Sequence, residues 1–177
     1  MRLMPNWLDN LRTCYRQRKL TTPERTLNTF KNGVREVDEG HPDRAIKYFS
    51  EAINASPNSA KLHHYRADAY ALNGNLDQAV IDYDTAVRLN PAYPDTYLDR
   101  GNTHYQLNNL DTALKDFSEA IRLKPDWAEA YANRAVIQAE LGLKVESDND
   151  AQTAHELGVD ERQLEEMLES AWSNTDD

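Results

Sequence analysis

Residues 65–91 read YRADAYALNGNLDQAVIDYDTAVRLNP, and residues 99–125 read DRGNTHYQLNNLDTALKDFSEAIRLKP. Laid over one another at a step of 34, the two stretches agree wherever side-chain size matters: Ala79 with Ala113, Tyr83 with Phe117, Ala86 with Ala120, Pro91 with Pro125. Working outward, Ala45, Phe49, Ala52 and Pro57 continue the columns upstream, and Ala154 extends one downstream. Gly33, Ala67, Gly101 and Ala135 form a fifth column of small residues. Self-similarity at a fixed period of this length marks a stack of like units, none of which can bury its own apolar face alone. The registers are 26–59, with the first helix entering at about 23, then 60–93, 94–127 and a degenerate fourth over 128–159. Segments 1–22 and 160–177 flank them.

Each unit reads as two helices. In the third, the first helix is expected over Asp95–Leu107, stopping at Asn108-Asn109. The second begins near Asp111, an acid suited to the positive end of the helix dipole. It ends before Pro125, which cannot continue a helix and turns its predecessor out of the α region. Gly40, Gly74 and Gly142 occupy the matching inter-helix turn, where positive φ is cheap for glycine or asparagine. The small column lets the helices of a pair approach closely, and the aromatic column fills the space between pairs.

These columns resemble the tetratricopeptide repeat (TPR) family: small at position 8, Gly or Asn near 15, Ala at 20, Phe or Tyr at 24, Ala at 27 and Pro at 32. The second and third units fit nearly throughout. The first departs at Thr29 and Glu36, and the fourth has Ser147, Ala151 and Gly158-Val159 where Ala, an aromatic and Pro are usual. The resemblance covers about 26–160. It implies an all-α, right-handed helical solenoid that binds other proteins, as an adaptor, assembly factor or complex subunit.

The same resemblance places positions 2, 5, 6, 9, 12 and 13 of each first helix on a concave groove. Those positions carry Leu27, Phe30, Val34 and Val37 in the first unit, an apolar end. Asp68, Asp95, Asp99, Glu129 and Glu140 make the middle and far end acidic, with Tyr65, Asn102, Tyr105 and Asn133 interleaved. Tyrosine joins an apolar face to a polar tip, and asparagine offers both donor and acceptor to a peptide backbone. The expected partner-binding set is Phe30, Val34, Tyr65, Asp68, Asp99, Asn102, Tyr105 and Asn133. The expected partner is a peptide or helix bearing Lys or Arg and apolar anchors. TPR domains that bind acidic chaperone tails carry a basic clamp; the matching positions here are Phe30, Val34, Tyr65, Asp95 and Asp99, so that clamp is missing.

The ends differ in charge. Residues 1–25 hold six basic residues against Asp9 and Glu24, a balance of +4 that leaves −14 for the remainder. Trp7, Leu8, Leu11, Cys14 and Tyr15 fall at helical spacing, predicting an N-terminal helix. Packing on the first unit, docking on a partner and lying on an anionic membrane surface are its three readings. The last makes a membrane-peripheral scaffold the alternative function, and self-association through the apolar first unit is a further one. Thr22-Pro23-Glu24 reads as cap, first-turn proline and first-turn acid. Asp160 and Gln163 suggest a capping box opening a terminal helix with a Leu164, Met167, Leu168, Ala171, Trp172 stripe.

Composition bounds the rest. With 20 Lys and Arg against 30 Asp and Glu, the chain of 177 residues carries −10, which repels phosphate backbones, so nucleic acid is not an expected partner. One cysteine, Cys14, excludes an internal disulfide and a four-thiolate zinc site. No apolar run approaches the ~18 residues of a membrane span, and no apolar core of a secretory signal opens the chain. The expectation is a cytoplasmic protein. Phosphate-cradling GxxxxGK[ST], GxGxxG after a strand, and HExxH do not occur. Repeats and caps fill the chain, so neither an enzyme, a cofactor nor a metal is expected. His64 and Asp68, four apart, read as a polar pair of the groove; His63 faces elsewhere; His104 falls on a packing column and reads as a satisfied interior histidine.

Overall fold

The computed structural model describes residues 21–173. The described helices are α1 (Thr22–Asp38), α2 (Pro42–Ala55), α3 (Ala60–Leu72), α4 (Leu76–Leu89), α5 (Pro94–Gln106), α6 (Leu110–Leu123), α7 (Ala128–Glu140), α8 (Lys144–Glu156) and α9 (Glu161–Ser173). They pair as α1–α2, α3–α4, α5–α6 and α7–α8. Each second helix also packs on the first helix of the next pair, and α1, α3, α5 and α7 touch in succession along one face. The N-terminal helix expected before residue 21 lies outside the described residues.

The 34-residue columns are the core. Ala45, Ala79 and Ala113 are fully buried, as are Ala67 and Ala135, and Phe49, Tyr83 and Phe117 are no more than 2% exposed. A Cβ on Gly33 would meet Phe49 Cε1 at 2.5 Å, and one on Gly101 would meet Phe117 Cε1 at 2.8 Å. Glycine is therefore demanded by the ring across the pair. Gly40, Gly74 and Gly142 turn the chain at φ of 77°, 77° and 73°, and Asn108 does so at 58°. The one non-glycine in this column is a residue type that tolerates the left-handed region.

The cap of α1 is Thr21 rather than Thr22. Glu24 N donates to Thr21 Oγ1 at 3.4 Å while Thr21 N donates to Glu24 Oε2 at 2.8 Å. A reciprocal box spans three residues, which fixes Thr21 once Glu24 is the acid and leaves Thr22 in the first turn. At the far end Gln163 N donates to Asp160 Oδ1 at 3.1 Å. Helix α9 then lays Leu164 and Met167 on Ala132 and Ala154, closing the fourth repeat. Ser147, in place of the usual alanine, is fully buried and donates to the Ala135 carbonyl at 2.9 Å, so its hydroxyl is satisfied.

An arginine clasp, not anticipated from the sequence, recurs in three repeats. Arg66 forks onto Asp82 at 2.6 and 2.8 Å, Arg100 onto Asp116 at 2.9 and 2.6 Å, and Arg134 onto Asp150 at 2.6 and 2.8 Å. The remaining terminal nitrogen reaches the preceding repeat, at Ser50, Asp84 or Ser118. One planar guanidinium thus ties the two helices of a repeat to each other and to their neighbour. Both sides of the clasp keep the 34-residue step, which is the signal that could have revealed it.

Candidate functional site

The groove positions of successive first helices do meet, in pairs that bridge repeats. Phe30 of α1 stands edge-on to Tyr65 of α3, with ring centres 4.9 Å apart, and Lys61 Nζ lies 4.8 Å from the Phe30 centroid. Asn133 of α7 donates through Nδ2 to Asn102 Oδ1 of α5 at 2.9 Å. Tyr105 of α5 donates to Glu140 Oε1 of α7 at 2.6 Å. One donor of Asn133 and one lone pair of Asn102 are therefore used between them, which reduces what each can offer a peptide. Asn102 keeps both amide donors and one lone pair, and Asn133 keeps its carbonyl and one N–H.

The apolar end is less open than the sequence suggests. Phe30, Val34 and Val37 pack with Phe49, Ile46 and Tyr65 and are half-buried. A face lined with rings closes on itself when Phe49 reaches through the gap above Gly33. Leu27 remains 51% exposed. With Pro23, Thr26, Phe30, Ser56, Ser59, Lys61 and Leu62 it lines an open cleft of about 360 Å³ at the end of the inner face.

The middle holds a cluster that sequence reasoning saw only in part. His64, whose side chain is 7% exposed, directs Nε2 toward Asp68 Oδ2 at 3.5 Å and Asp99 Oδ2 at 3.8 Å. The first is one helical turn away on α3; the second comes from α5. Thr96 Oγ1 lies 3.2 Å from His64 Nδ1, and Tyr83 donates its hydroxyl to Asp68 Oδ1 at 2.7 Å. The rings of Tyr65, Tyr83 and Tyr93 surround the imidazole with centroids 5.5, 5.9 and 5.3 Å away. His63, one residue earlier, points the other way, to Asp82 and the Pro57 carbonyl. His104 is not the satisfied interior histidine expected: it is half-buried and its Nδ1 has no hydrogen-bond partner.

Crowding shifts these groups. Burial, opposed by the Tyr83 hydrogen bond and helped by Asp95, raises Asp68 to about 6. Burial, then the charge of Asp68, raises Asp99 to about 7. Burial holds His64 below the ordinary histidine value despite Asp99 and Asp95. Among the described residues no Lys or Arg forms an ion pair with Asp68, Asp95, Asp99 or Glu129, whereas Arg66, Arg100 and Arg134 are occupied in the clasps.

The repeat families match this array. The TPR repeat family matches residues 67–108 and 101–142, and the tetratricopeptide repeat family matches 36–81. The chain belongs to the tetratricopeptide repeat family. Its fold is the all-α TPR solenoid. Among solved structures it is similar to the crystal structure of MamA, with TM-score 0.73 and 23% identity over 76% of this chain and 79% of that one. It is also similar to a thermophilic TPR protein of Thermus thermophilus, with TM-score 0.68 and 20% identity over 84% and 81%. The first TPR of Spaghetti (RPAP3), bound to the HSP90 peptide SRMEEVD, gives TM-score 0.65 and 29% identity over 67% and 94%. No curated protein matches the chain by sequence. Among the described residues no helix is long and apolar enough to cross a membrane. A protein-interaction module is the coarse function that the family and these neighbours support.

Proposed function

We propose that this TPR array receives a peptide or helix of a partner protein along the face formed by α1, α3, α5 and α7, serving as an adaptor, assembly factor or complex subunit. The observation that carries the reading is charge. Asp68, Asp95, Asp99 and Glu129 share one face without a Lys or Arg ion-pair partner among the described residues, while Arg66, Arg100 and Arg134 are held on the clasps. Lysine or arginine on an incoming segment would relieve that repulsion and steer association. Leu27 and the cleft around Phe30 would take an apolar anchor, and the free groups of Asn102 and Asn133 would meet its backbone. The HSP90 peptide of the Spaghetti neighbour ends in Glu-Glu-Val-Asp. Such an end is repelled by this face, so the partner segment has the opposite charge. Preformed helices lose little entropy on binding, and modest contacts suffice.

The test is a comparison of prey recovered by wild type and by Asp99→Lys/Asn133→Ala, with each identified prey remeasured as a peptide by fluorescence anisotropy. The double variant should weaken binding at least about tenfold, equivalent to 1.4 kcal/mol. Raising salt should weaken the wild type more steeply than the variant. Equal affinities would move the binding surface off this face.

A further inference from the structure

We propose that His64, Asp68 and Asp99 form a binding site for one divalent transition-metal ion of the zinc class, bridging the second and third repeats. The argument is geometric. Ligands held about 2.05 Å from a four-coordinate ion stand roughly 3.4 Å apart. The His64 nitrogen lies 3.5 Å from Asp68 Oδ2 and 3.8 Å from Asp99 Oδ2, and all three donor atoms fall within 4.8 Å of one another. The two nitrogen–oxygen separations are close to the ligand spacing of a metal shell.

The buried histidine supplies a second, independent observation. Its side chain is 93% removed from solvent, yet Nε2 makes no hydrogen bond: both oxygens it faces lie beyond ordinary hydrogen-bond length. In the tautomer protonated at Nδ1, that nitrogen donates to Thr96 Oγ1 and Nε2 presents a lone pair to two carboxylate oxygens, so that three acceptors converge on one point. Thr96 behind the histidine and the Tyr83 hydroxyl on the far oxygen of Asp68 hold the ligands as outer-shell partners of metal sites do. One imidazole and two carboxylates suit a borderline ion. The carboxylates are 30% and 36% exposed, which leaves the fourth position open to the inner face. A second grouping, Glu36, Glu39 and His41, already has Arg44 Nη1 at 3.7 Å from Glu36 Oε2, so a cation is in place there.

The experiment titrates Co²⁺ into the chelator-treated full chain, without any partner, reading visible absorption and then its displacement by Zn²⁺. One equivalent should give the intense bands of a tetrahedral ion. Asp68→Asn and Asp99→Asn, which preserve shape at the open edge, should each weaken binding at least about tenfold. Thr96→Val, which spares all three ligands, should weaken it about 10–100-fold. Circular dichroism checks that each variant folds. Failure of the wild type to bind one equivalent, or wild-type affinity in both asparagine variants, overturns the site. So would n-butylammonium raising the melting temperature of wild type but not of Asp99→Asn while Zn²⁺ raises neither. That outcome makes the cluster a lysine subsite and leaves the peptide-binding proposal standing.

Discussion

The first repeat and the three that follow solve one packing problem with different chemistry. In the second, third and fourth repeats an arginine on the first helix clasps an aspartate on the second. At the matching places the first repeat has Asn32 and Tyr48. It relies on rings instead: Phe30, Phe49 and Tyr65 meet at centroid separations of 4.9 to 6.0 Å, and Phe49 fills the gap above Gly33. Its own buried charge, Glu36, keeps Oε2 without a hydrogen bond. Rings suit a repeat whose inner face is apolar. Clasps suit repeats whose inner face is acidic, because they confine the cations to the other side of the helix pair.

That contrast can be broken most forcefully at Phe49. Phe49→Ala empties the ring cluster and should cost about 3–5 kcal/mol by urea unfolding. Hydrogen exchange should show the loss concentrated in α1 and α2, as expected for a stack coupled only to neighbours. Exchange rising equally in α7 and α8 would mean that the first repeat is not a separate unit.

A smaller effect is expected at the clasp. Asp116→Ala should cost about 2–3 kcal/mol, less than a fully buried pair would, because Asp84 still holds the Arg100 guanidinium. Asn32→Ala, at the clasp position of the first repeat, should change stability by less than about 0.5 kcal/mol. Equal costs at both positions would remove the distinction.

The smallest effect sharpens the acidic side. His64, Asp68 and Tyr83 face Asp99 from α3 and α4, with Asp95 on its own helix and Glu129 on α7 also acting on it. Its carboxyl near 7 in the folded chain lies above the ordinary 3.8, so the native state binds extra proton between about pH 4 and 7. Stability from this group therefore falls as pH rises through that window. Asp68, raised to about 6, adds to the slope, and the lowered His64 opposes it. In chelator-containing buffer, Asp99→Asn should match the wild type near pH 4 and be more stable at pH 8. The gain is about 1 kcal/mol, or roughly 2–4 °C in melting temperature, because solvent screens the open edge. A variant less stable at pH 8 would show that the cluster is not under electrostatic load.

Reading the fold needed only local rules. The 34-residue step through alanine, aromatic, glycine and proline columns named the helices and turns, down to Asn108 in the left-handed place of a glycine. The inner face was legible to the level of a helix side: Asp68, Asp99, Asn102, Tyr105 and Asn133 do lie on the first helices. What each does there was not, because bonds between repeats join residues 31 to 35 apart. Thr96 meets His64 from the next repeat, and Asp99 converges on the same ring from another helix.

Periodicity by itself thus determined which residues turn inward, since helical pitch and close packing leave few alternatives for small and aromatic columns at one stride. Only the stacking of one repeat on the next decided which polar groups end up facing each other. A few ångströms of inter-helix placement separate two amides that satisfy each other from a histidine left between two carboxylates.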